Sequence, residues 1–428
     1  MNTKVLALID GNNFYVSCER VFHAALQDQA VIVLSNNDGC VVARSNEAKK
    51  LGIKMGQPVF QCREIIKKHH IQVFSSNYSL YADMSRRVMH VLAQFSSALE
   101  VYSIDEAFLD ITAHQSDDLM EYGRLLRARV LQFTGIPVSI GIASTKVLCK
   151  IATETVKKDP ASAGVLNLCE LSAKEVDRYL QAIAIEDVWG IGPKYALFLS
   201  NYGITTARDL KYSDERWVRR HLTVVGERIV LELRGISCMP LECEPKPKQS
   251  IICSKTFGRE VRRLVELQEA VATYTARAAE KLRSQQTLAS TLTVFVQTDR
   301  FKQEVPYYAN SYTLALPSPT AFTPELIAHA LVGLKAIYRE GYGYRKAGVS
   351  VTKIVPEDHV QPDLFGEFSL HEHYQQARVM FIVDTLNRVY GRDTLFFAVQ
   401  GINRSWKMRQ SHLSGRFTTQ WSEILTIT

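Results

Sequence analysis

The sequence predicts a multidomain α+β protein containing two βαββαβ units, and three observations predict it. The chain has 428 residues, too many for one ordinary domain, so two to four are expected. Between residues 5 and 142, apolar runs and stretches of helical periodicity follow the order β, insertion, α, β, β, α, β, and the order βαββαβ returns between 251 and 354. Residues 242–249 lie between the two, rich in Pro and charge and poor in apolar residues, and read as a linker.

Residues 4–9, Lys-Val-Leu-Ala-Leu-Ile, read as a buried strand that ends in Asp10. The turn after it opens a helix through Phe14 and Tyr15, and Gly11 lets backbone approach closely there. Residues 31–34 and 40–43 form strands about the turn 35–39. A short helix, 44–51, closes at Gly52. It carries Arg44, Lys49 and Lys50, either a small lid whose cations face phosphates or a solvated face. Residues 80–95 are an amphipathic helix with Leu80, Met84, Val88, Val91 and Leu92 on one side. A hairpin over 100–112, a helix over 117–134, a strand over 136–142 and a helix over 145–156, capped by Ser144, complete the first unit. This is the split βαβ arrangement, an antiparallel sheet with helices on one face. It places the first strand centrally, beside the strand that starts the hairpin. Lys157 and Lys158 suit the C-terminal end of their helix and face the same end of the sheet as Asp10.

Residues 171–222 read as short helices. Within them, Val188-Trp-Gly190-Ile-Gly192-Pro-Lys194 combines two glycines that free a tight turn with a proline suited to a first helical position. Exposed backbone N–H groups there can take a phosphate, and the stretch resembles a helix-hairpin-helix. The second unit has strands at 251–257, 288–297, 307–316 and 346–354 and helices at 267–284 and 324–338. Beyond 355 lies a polar stretch containing Gln361-Pro-Asp-Leu-Phe365. The tail, 374–428, has one helix, 374–390, and aromatics such as Trp406 and Trp421. Nothing in its residue pattern assigns it a chemistry.

The chain is 46% hydrophobic and 22% charged, with net charge +7, the balance of a soluble globular protein. Residues 245–355 hold 16 Lys and Arg against 8 Asp and Glu, and the remainder holds 35 against 36. The whole excess therefore lies in the second unit, the footprint of a polyanion. The eight cysteines are scattered without metal-ligand spacing, as free thiols of a reducing cytosol would be. Neither a signal peptide nor a membrane span is expected.

The chemistry is expected in Tyr102-Ser-Ile-Asp-Glu-Ala-Phe108. Two carboxylates, Asp105 and Glu106, sit in a strand-like run, where acids are depleted and costly to bury unpaired. With Asp10 they make three hard oxygen donors at one sheet edge, suited to Mg²⁺. That reading requires that no lysine fill the corner.

Asp10…Phe14-Tyr15, Ser35-Asn-Asn-Asp-Gly-Cys-Val-Val-Ala-Arg44, Ser75-Ser-Asn-Tyr78, Tyr102-Ser-Ile-Asp-Glu-Ala-Phe108 and Gly190-Ile-Gly192 together resemble a Y-family translesion DNA polymerase, more narrowly the UmuC-type catalytic subunits of bacterial DNA polymerase V. The resemblance implies a right-hand polymerase. A palm (1–18 and 76–165), small fingers (19–75) and a helical thumb (166–241) precede a basic little finger (250–355) and a tail (356–428). It makes Asp10, Asp105 and Glu106 catalytic, holding two Mg²⁺ ions with the Gly11 carbonyl. Tyr15 matches the steric gate against a ribose 2′-OH. Phe14, Asn46, Lys49 and Lys157 would bind the nucleotide, although the family often has Tyr and Arg where this chain has Asn46 and Lys49. Gly190, Gly192, Lys194, Lys255 and Arg259 would meet DNA, and Gln361, Leu364 and Phe365 a sliding clamp. Implied partners are primer–template DNA, deoxynucleoside triphosphates, a UmuD′-type subunit and RecA, in the cytoplasm at the nucleoid. So small a lid, within about 65 residues between the first strand and the Leu80 helix, enforces little shape selection, which fits low-fidelity copying of damaged template. No second acidic cluster suggests a proofreading nuclease. A palm-type nucleotidyl cyclase and a non-catalytic, clamp-tethered DNA-binding scaffold are the alternatives.

Overall fold

The structure, a computed structural model, describes residues 4–114, 118–159, 162–244, 246–302, 306–359 and 370–426. The chain divides into two compact units. The first comprises Met1–Ser35, Gly39–Pro245 and His412–Thr428, the second Asn36–Asp38 and Lys246–Ser411.

In chain order the first unit contains β1 (Leu6–Gly11), α1 (Phe14–Phe22), β2 (Val31–Leu34), β3 (Val41–Arg44), α2 (Asn46–Lys50), α3 (Val59–Lys68), β4 (Gln72–Ser75) and α4 (Tyr78–Leu92). It continues with β5 (Leu99–Val101), β6 (Glu106–Asp110), α5 (Leu119–Thr134), β7 (Val138–Ala143), α6 (Lys146–Lys158), β8 (Val165–Asn167), α7 (Ala173–Gln181), α8 (Pro193–Asn201), α9 (Ala207–Lys211) and α10 (Glu215–Leu233). Its main sheet has the order β5-β6-β1-β7-β8. The first strand is central as expected, but its hairpin neighbour is β6, the strand that ends the hairpin. Both hairpin strands carry apolar residues, so local pattern does not tell which of them lies inside.

A second expectation is corrected: the sheet is covered on both faces. Ala7, Ile9, Ala107 and Leu109 pack with α4 and α5, whereas Leu6, Leu8 and Phe108 pack with α6 and the helices beyond it. All six residues of β1 are buried, which is why its apolar run lacks a period of two. The cap of α6 is also corrected. Thr145, not Ser144, is the N-cap, its hydroxyl accepting from the Leu148 N–H. β2, β3 and β4 form a small separate sheet, ordered β3-β2-β4, over its own apolar cluster around Ile32, Leu34 and Cys62.

The second unit contains β9 (Ile251–Val261), α11 (Leu264–Ser284), β10 (Thr287–Thr298), β11 (Ala309–Thr320), α12 (Thr323–Ile337), β12 (Tyr344–Pro356) and the tail helix α13 (Leu370–Val389). The expected βαββαβ order holds, but the sheet order is β11-β10-β12-β9, with its first strand at the edge. Trp406 of the tail is buried between Phe257 and Tyr274 and donates its N–H to Glu269. Trp421 is 91% exposed. Gln361, Leu364 and Phe365 lie outside the described residues.

Candidate active site

β1 and β6 pair antiparallel with Asp10 directly opposite Glu106. Alternation along each strand then decides where the acids point. Asp10 shares its face with Leu6 and Leu8, and Glu106 shares its face with Phe108, all packed toward α6. Two lysines on α6, two turns apart, meet them there. Lys157 Nζ stands 2.6 Å from Asp10 Oδ2, and Lys150 Nζ stands 2.6 Å from Glu106 Oε2. The corner expected to be free of lysine therefore holds two. The reason is the burial of both acids on the side that α6 covers, where charge needs a partner.

The electrostatics are uneven. Burial pushes the Asp10 carboxyl up to about 7; Lys157 pulls it down, and the hydrogen bond to Glu106 pushes it up again. Burial acts upward on Glu106 as well, but the hydrogen bond from Asp10 and the Lys150 ammonium outweigh it and hold Glu106 below the usual carboxylate range.

Asp105 is not on the strand. It lies in the turn before β6, where its carboxylate accepts from Ser103 Oγ at 2.6 Å and its carbonyl accepts the Gly11 N–H at 2.8 Å. The expected strand alternation of Asp105 and Glu106 is therefore replaced by a turn. Gly11 must be small. A Cβ there would stand 3.0 Å from the Phe14 ring and 3.5 Å from the Asp105 carbonyl oxygen. Among the described residues, no three His, Cys, Asp or Glu side chains form a group that could hold a metal ion in this geometry.

Asp10, Asp105 and Glu106 nevertheless line one cavity of about 770 Å³, with Gly11, Phe14, Tyr15, Arg44, Asn46, Lys49 and Lys157. Tyr15 stacks on Tyr81, ring centroids 4.4 Å apart at 16°, and takes the edge of Tyr78. Burial raises its phenol, and Tyr78 and Asp105 raise it further. Asn46 Oδ1 accepts from both Lys49 Nζ and Asn13 Nδ2, each at 3.2 Å. Burial lowers Lys49, and the nearby cations Arg44 and Lys157 lower it further. Three cations crowding one cavity are relieved by an anion placed among them.

Three family models match this chain. Residues 9–154 match the impB/mucB/samB family, 248–364 its C-terminal domain, and 377–427 a domain of unknown function, DUF4113. Over 425 residues the chain is 42% identical to Protein UmuC of Salmonella typhimurium (strain LT2), covering 99% of this chain and all of that one. The chain belongs to the impB/mucB/samB family. DNA polymerase IV of Desulfatibacillum aliphaticivorans is 28% identical over 381 residues, 86% of this chain and 90% of that one. Among solved structures, the Y-family DNA polymerase chimera Dbh-Dpo4(243-245)-Dbh superposes with a TM-score of 0.65 at 21% identity, over 82% of this chain and 99% of that one. The impB/mucB/samB chain thus has the right-hand polymerase fold, with a ferredoxin-like palm, small fingers, a helical thumb and a βαββαβ little finger.

The other expected residues of this family member are spread over the fold. Gly190 has φ +91° and a Cβ there would meet Ile229, so glycine is required. Gly192, at φ −81°, is the N-cap of α8, followed by Pro193 and the exposed Lys194. Its side-chain space is open, so the turn needs only one of its two glycines. In the second unit, Lys255 is lowered by burial and by Arg392, Arg277 and Lys407 around it. Arg259 is engaged by Glu266, by Ser405 Oγ at 2.8 Å and by the Glu260 carbonyl at 3.0 Å.

Sequence reasoning missed Lys150, and it missed Lys146, whose Nζ sits 2.5 Å from buried Glu100 and 2.9 Å from the Pro240 carbonyl. The signal was present. Lys146, Lys150 and Lys157 fall on one side of α6, a shared face that their spacing reveals. It missed Glu19 as well, one turn beyond Tyr15 and wholly buried.

Proposed function

We propose that this cavity is the catalytic centre of a template-directed DNA polymerase of the translesion type. The observation that carries the reading is Asp10 facing Glu106 across β1 and β6, in one cavity with Asp105, Tyr15 and four cations, Arg44, Lys49, Arg127 and Lys157. The enzyme is a DNA-directed DNA polymerase that uses a divalent metal, a primer–template and deoxynucleoside triphosphates. We assign the metal as Mg²⁺, two ions, held by Asp10, Asp105, Glu106 and the Gly11 carbonyl.

The donor set fits. All four are hard oxygens, and Asp10, Gly11, Asp105 and Glu106 line one cavity. Bound there, the ions supply Lewis acidity toward the primer 3′-OH and the triphosphate. Asp10 would serve as a ligand in its ionised form. Lys150 and Lys157 are the counter-ions of Glu106 and Asp10, on flexible stems. Lys157, with Lys49 and Arg44, would hold the triphosphate, and Asn46 would orient Lys49. Phe14 backs Gly11 and keeps water from that edge. Tyr15 presents its ring where a ribose 2′-OH would go.

The exposed N–H groups at the start of α8 and the cations of the second unit, Lys255 among them, grip the duplex backbone without reading sequence. The domain limits follow the sequence expectation, with the clamp peptide at 361–365, a UmuD′-type subunit and RecA as partners and the nucleoid as the place of work. No helix of the described residues is long and apolar enough to cross a membrane.

The test is Asp105→Ala in primer extension on undamaged and abasic templates. Extension is expected to vanish while primer–template binding persists; unchanged extension removes Asp105 from the mechanism. A cyclic product from labelled nucleotide in place of an extended primer would favour the cyclase instead.

A further inference from the structure

The first unit takes the chain back at His412, and the returning segment is bound behind the cavity by contacts with Ser75, Asn77, Glu19 and Phe22. His412 exchanges two hydrogen bonds with Ser75: its carbonyl accepts the Ser75 N–H at 2.9 Å, and its N–H donates to Ser75 Oγ at 3.0 Å. Asn77 Nδ2 donates to the Ser414 carbonyl, to Ser414 Oγ and to the Gly415 carbonyl at 3.0–3.1 Å. The same Asn77 caps α4 through its side-chain oxygen. Phe417 stacks on Phe22 of α1, with centroids 5.0 Å apart. The segment is thus fastened to α1, which carries the cavity residue Tyr15, and to the start of α4, which carries Tyr78 and Tyr81, the two rings packed on it.

Between the strap and the cavity lies Glu19, wholly buried. Its Oε1 accepts from Ser414 Oγ at 2.9 Å and from Tyr81 OH at 2.6 Å. Its Oε2 has no hydrogen-bond partner among the described residues. Two hydroxyls on one oxygen therefore carry all of this carboxyl's side-chain bonding. One comes from the tail, 395 residues away in sequence. The other belongs to the ring on which Tyr15 lies, 4.4 Å away and nearly parallel. A buried carboxyl that loses one of two donors re-forms its remaining bond or draws in another group, and that remaining bond comes from the Tyr81 ring behind Tyr15.

We propose that Ser414, acting through Glu19 and Tyr81, is a positioning residue for Tyr15, so that the seated C-terminal strap sets how strictly the cavity rejects a ribose. The proposal rests on reading Tyr15 as the sugar gate. A factor that lifts residues 412–417 off the first unit would loosen sugar selection without touching a catalytic carboxylate.

The full chain is assayed for single-nucleotide insertion with each deoxynucleotide and its ribonucleotide, and the readout is the ratio of the two kcat/KM values. Ser414→Ala is expected to raise ribonucleotide use relative to deoxynucleotide by about three- to tenfold, the scale of one ordinary hydrogen bond. Tyr81→Phe should do the same, and Ser414→Thr, which keeps the hydroxyl, should stay at the parent ratio. In a Tyr15→Ala background the Ser414 substitution should add nothing, because the group it positions is gone. If Tyr15→Ala opens the site to ribonucleotides and Ser414→Ala leaves the ratio alone, the strap proposal is overturned and the gate reading stands. If Tyr15→Ala leaves the ratio alone, the gate reading fails first. A Ser414→Ala protein that only melts earlier and loses both activities in proportion also overturns the proposal.

Discussion

The palm sheet and the little-finger sheet are built from the same order of elements and use it for opposite purposes. In the palm the first strand is central, paired with β6 on one side and β7 on the other. In the little finger the first strand, β9, is an edge strand paired only with β12. A central strand buries what its end carries, and Asp10 is 6% exposed. On β9, which is only partly covered, Lys255 is exposed and crowded by Arg392, Arg277 and Lys407. The comparison teaches that the burial of a charge follows how fully its strand is covered more than the order of elements along the chain.

The acids of the two units differ in the same sense. Burial raises Asp10 and Glu19 in the first unit. In the second, carboxylates hold arginines: Asp384 meets Arg283 at 2.7 and 2.8 Å, and Asp393 binds both Arg277 and Arg404. Burial works against the Asp393 carboxylate, but the two guanidiniums outweigh it and lower it. Burial thus prevails at Asp10 and Glu19, and the paired guanidiniums prevail at Asp393.

The sharpest way to break this comparison is Glu106→Ala. It should cost primer extension about 10³-fold or more, the scale of losing a charge that stabilises the transition state, with duplex binding unchanged in a filter or anisotropy assay. Lys157→Ala comes next, with KM for the incoming nucleotide expected to rise roughly tenfold and affinity for primer–template unmoved. Lys255→Ala belongs to the other unit and should show the converse. Binding weakens by a few-fold for every sequence, and the slope of log K against log salt shrinks by about 0.9. Extension from the bound complex should stay the same.

The smallest effects are on melting temperature, and they should run in opposite directions with pH. A raised carboxyl contributes stability below its ordinary value, 4.5 for Glu19, and loses it as pH rises through the folded value. Glu19→Gln should therefore gain on the parent as pH increases. A depressed carboxylate contributes above its ordinary value, 3.8 for Asp393, and loses that contribution as pH falls through the folded value. Asp393→Asn should therefore melt below the parent at neutral pH and converge with it in acid. Parallel curves for the two variants would remove the contrast.

Much of this was legible along the chain. The unbroken apolar run before Asp10 marked a buried strand, although cover on only one face of its sheet was expected, and the Ser-Ile-Asp-Glu stretch marked the acids. The linker between 242 and 249 was visible as a loss of apolar residues. What could not be read was pairing between similar segments: β5 or β6 beside β1, β9 at an edge or inside. Those choices depend on long-range packing and leave no local period. The contacts of Ser414 with Glu19 and of His412 with Ser75 were equally hidden, since hydrogen bonds between residues hundreds apart have no spacing to detect. Lys150 lay in plain view, and only the burial of Glu106 gives it a meaning.

The parity of β1 has one more consequence. Asp10 looks toward α6 because it stands an even number of steps from Leu6 and Leu8. Adding or removing a single residue inside that strand would turn its carboxylate to the side of α4 and α5, though every catalytic side chain were still present. A length change of two would restore the direction. The enzyme can therefore vary its loops freely, while the stretch from Leu6 to Asp10 tolerates change of composition far better than change of count.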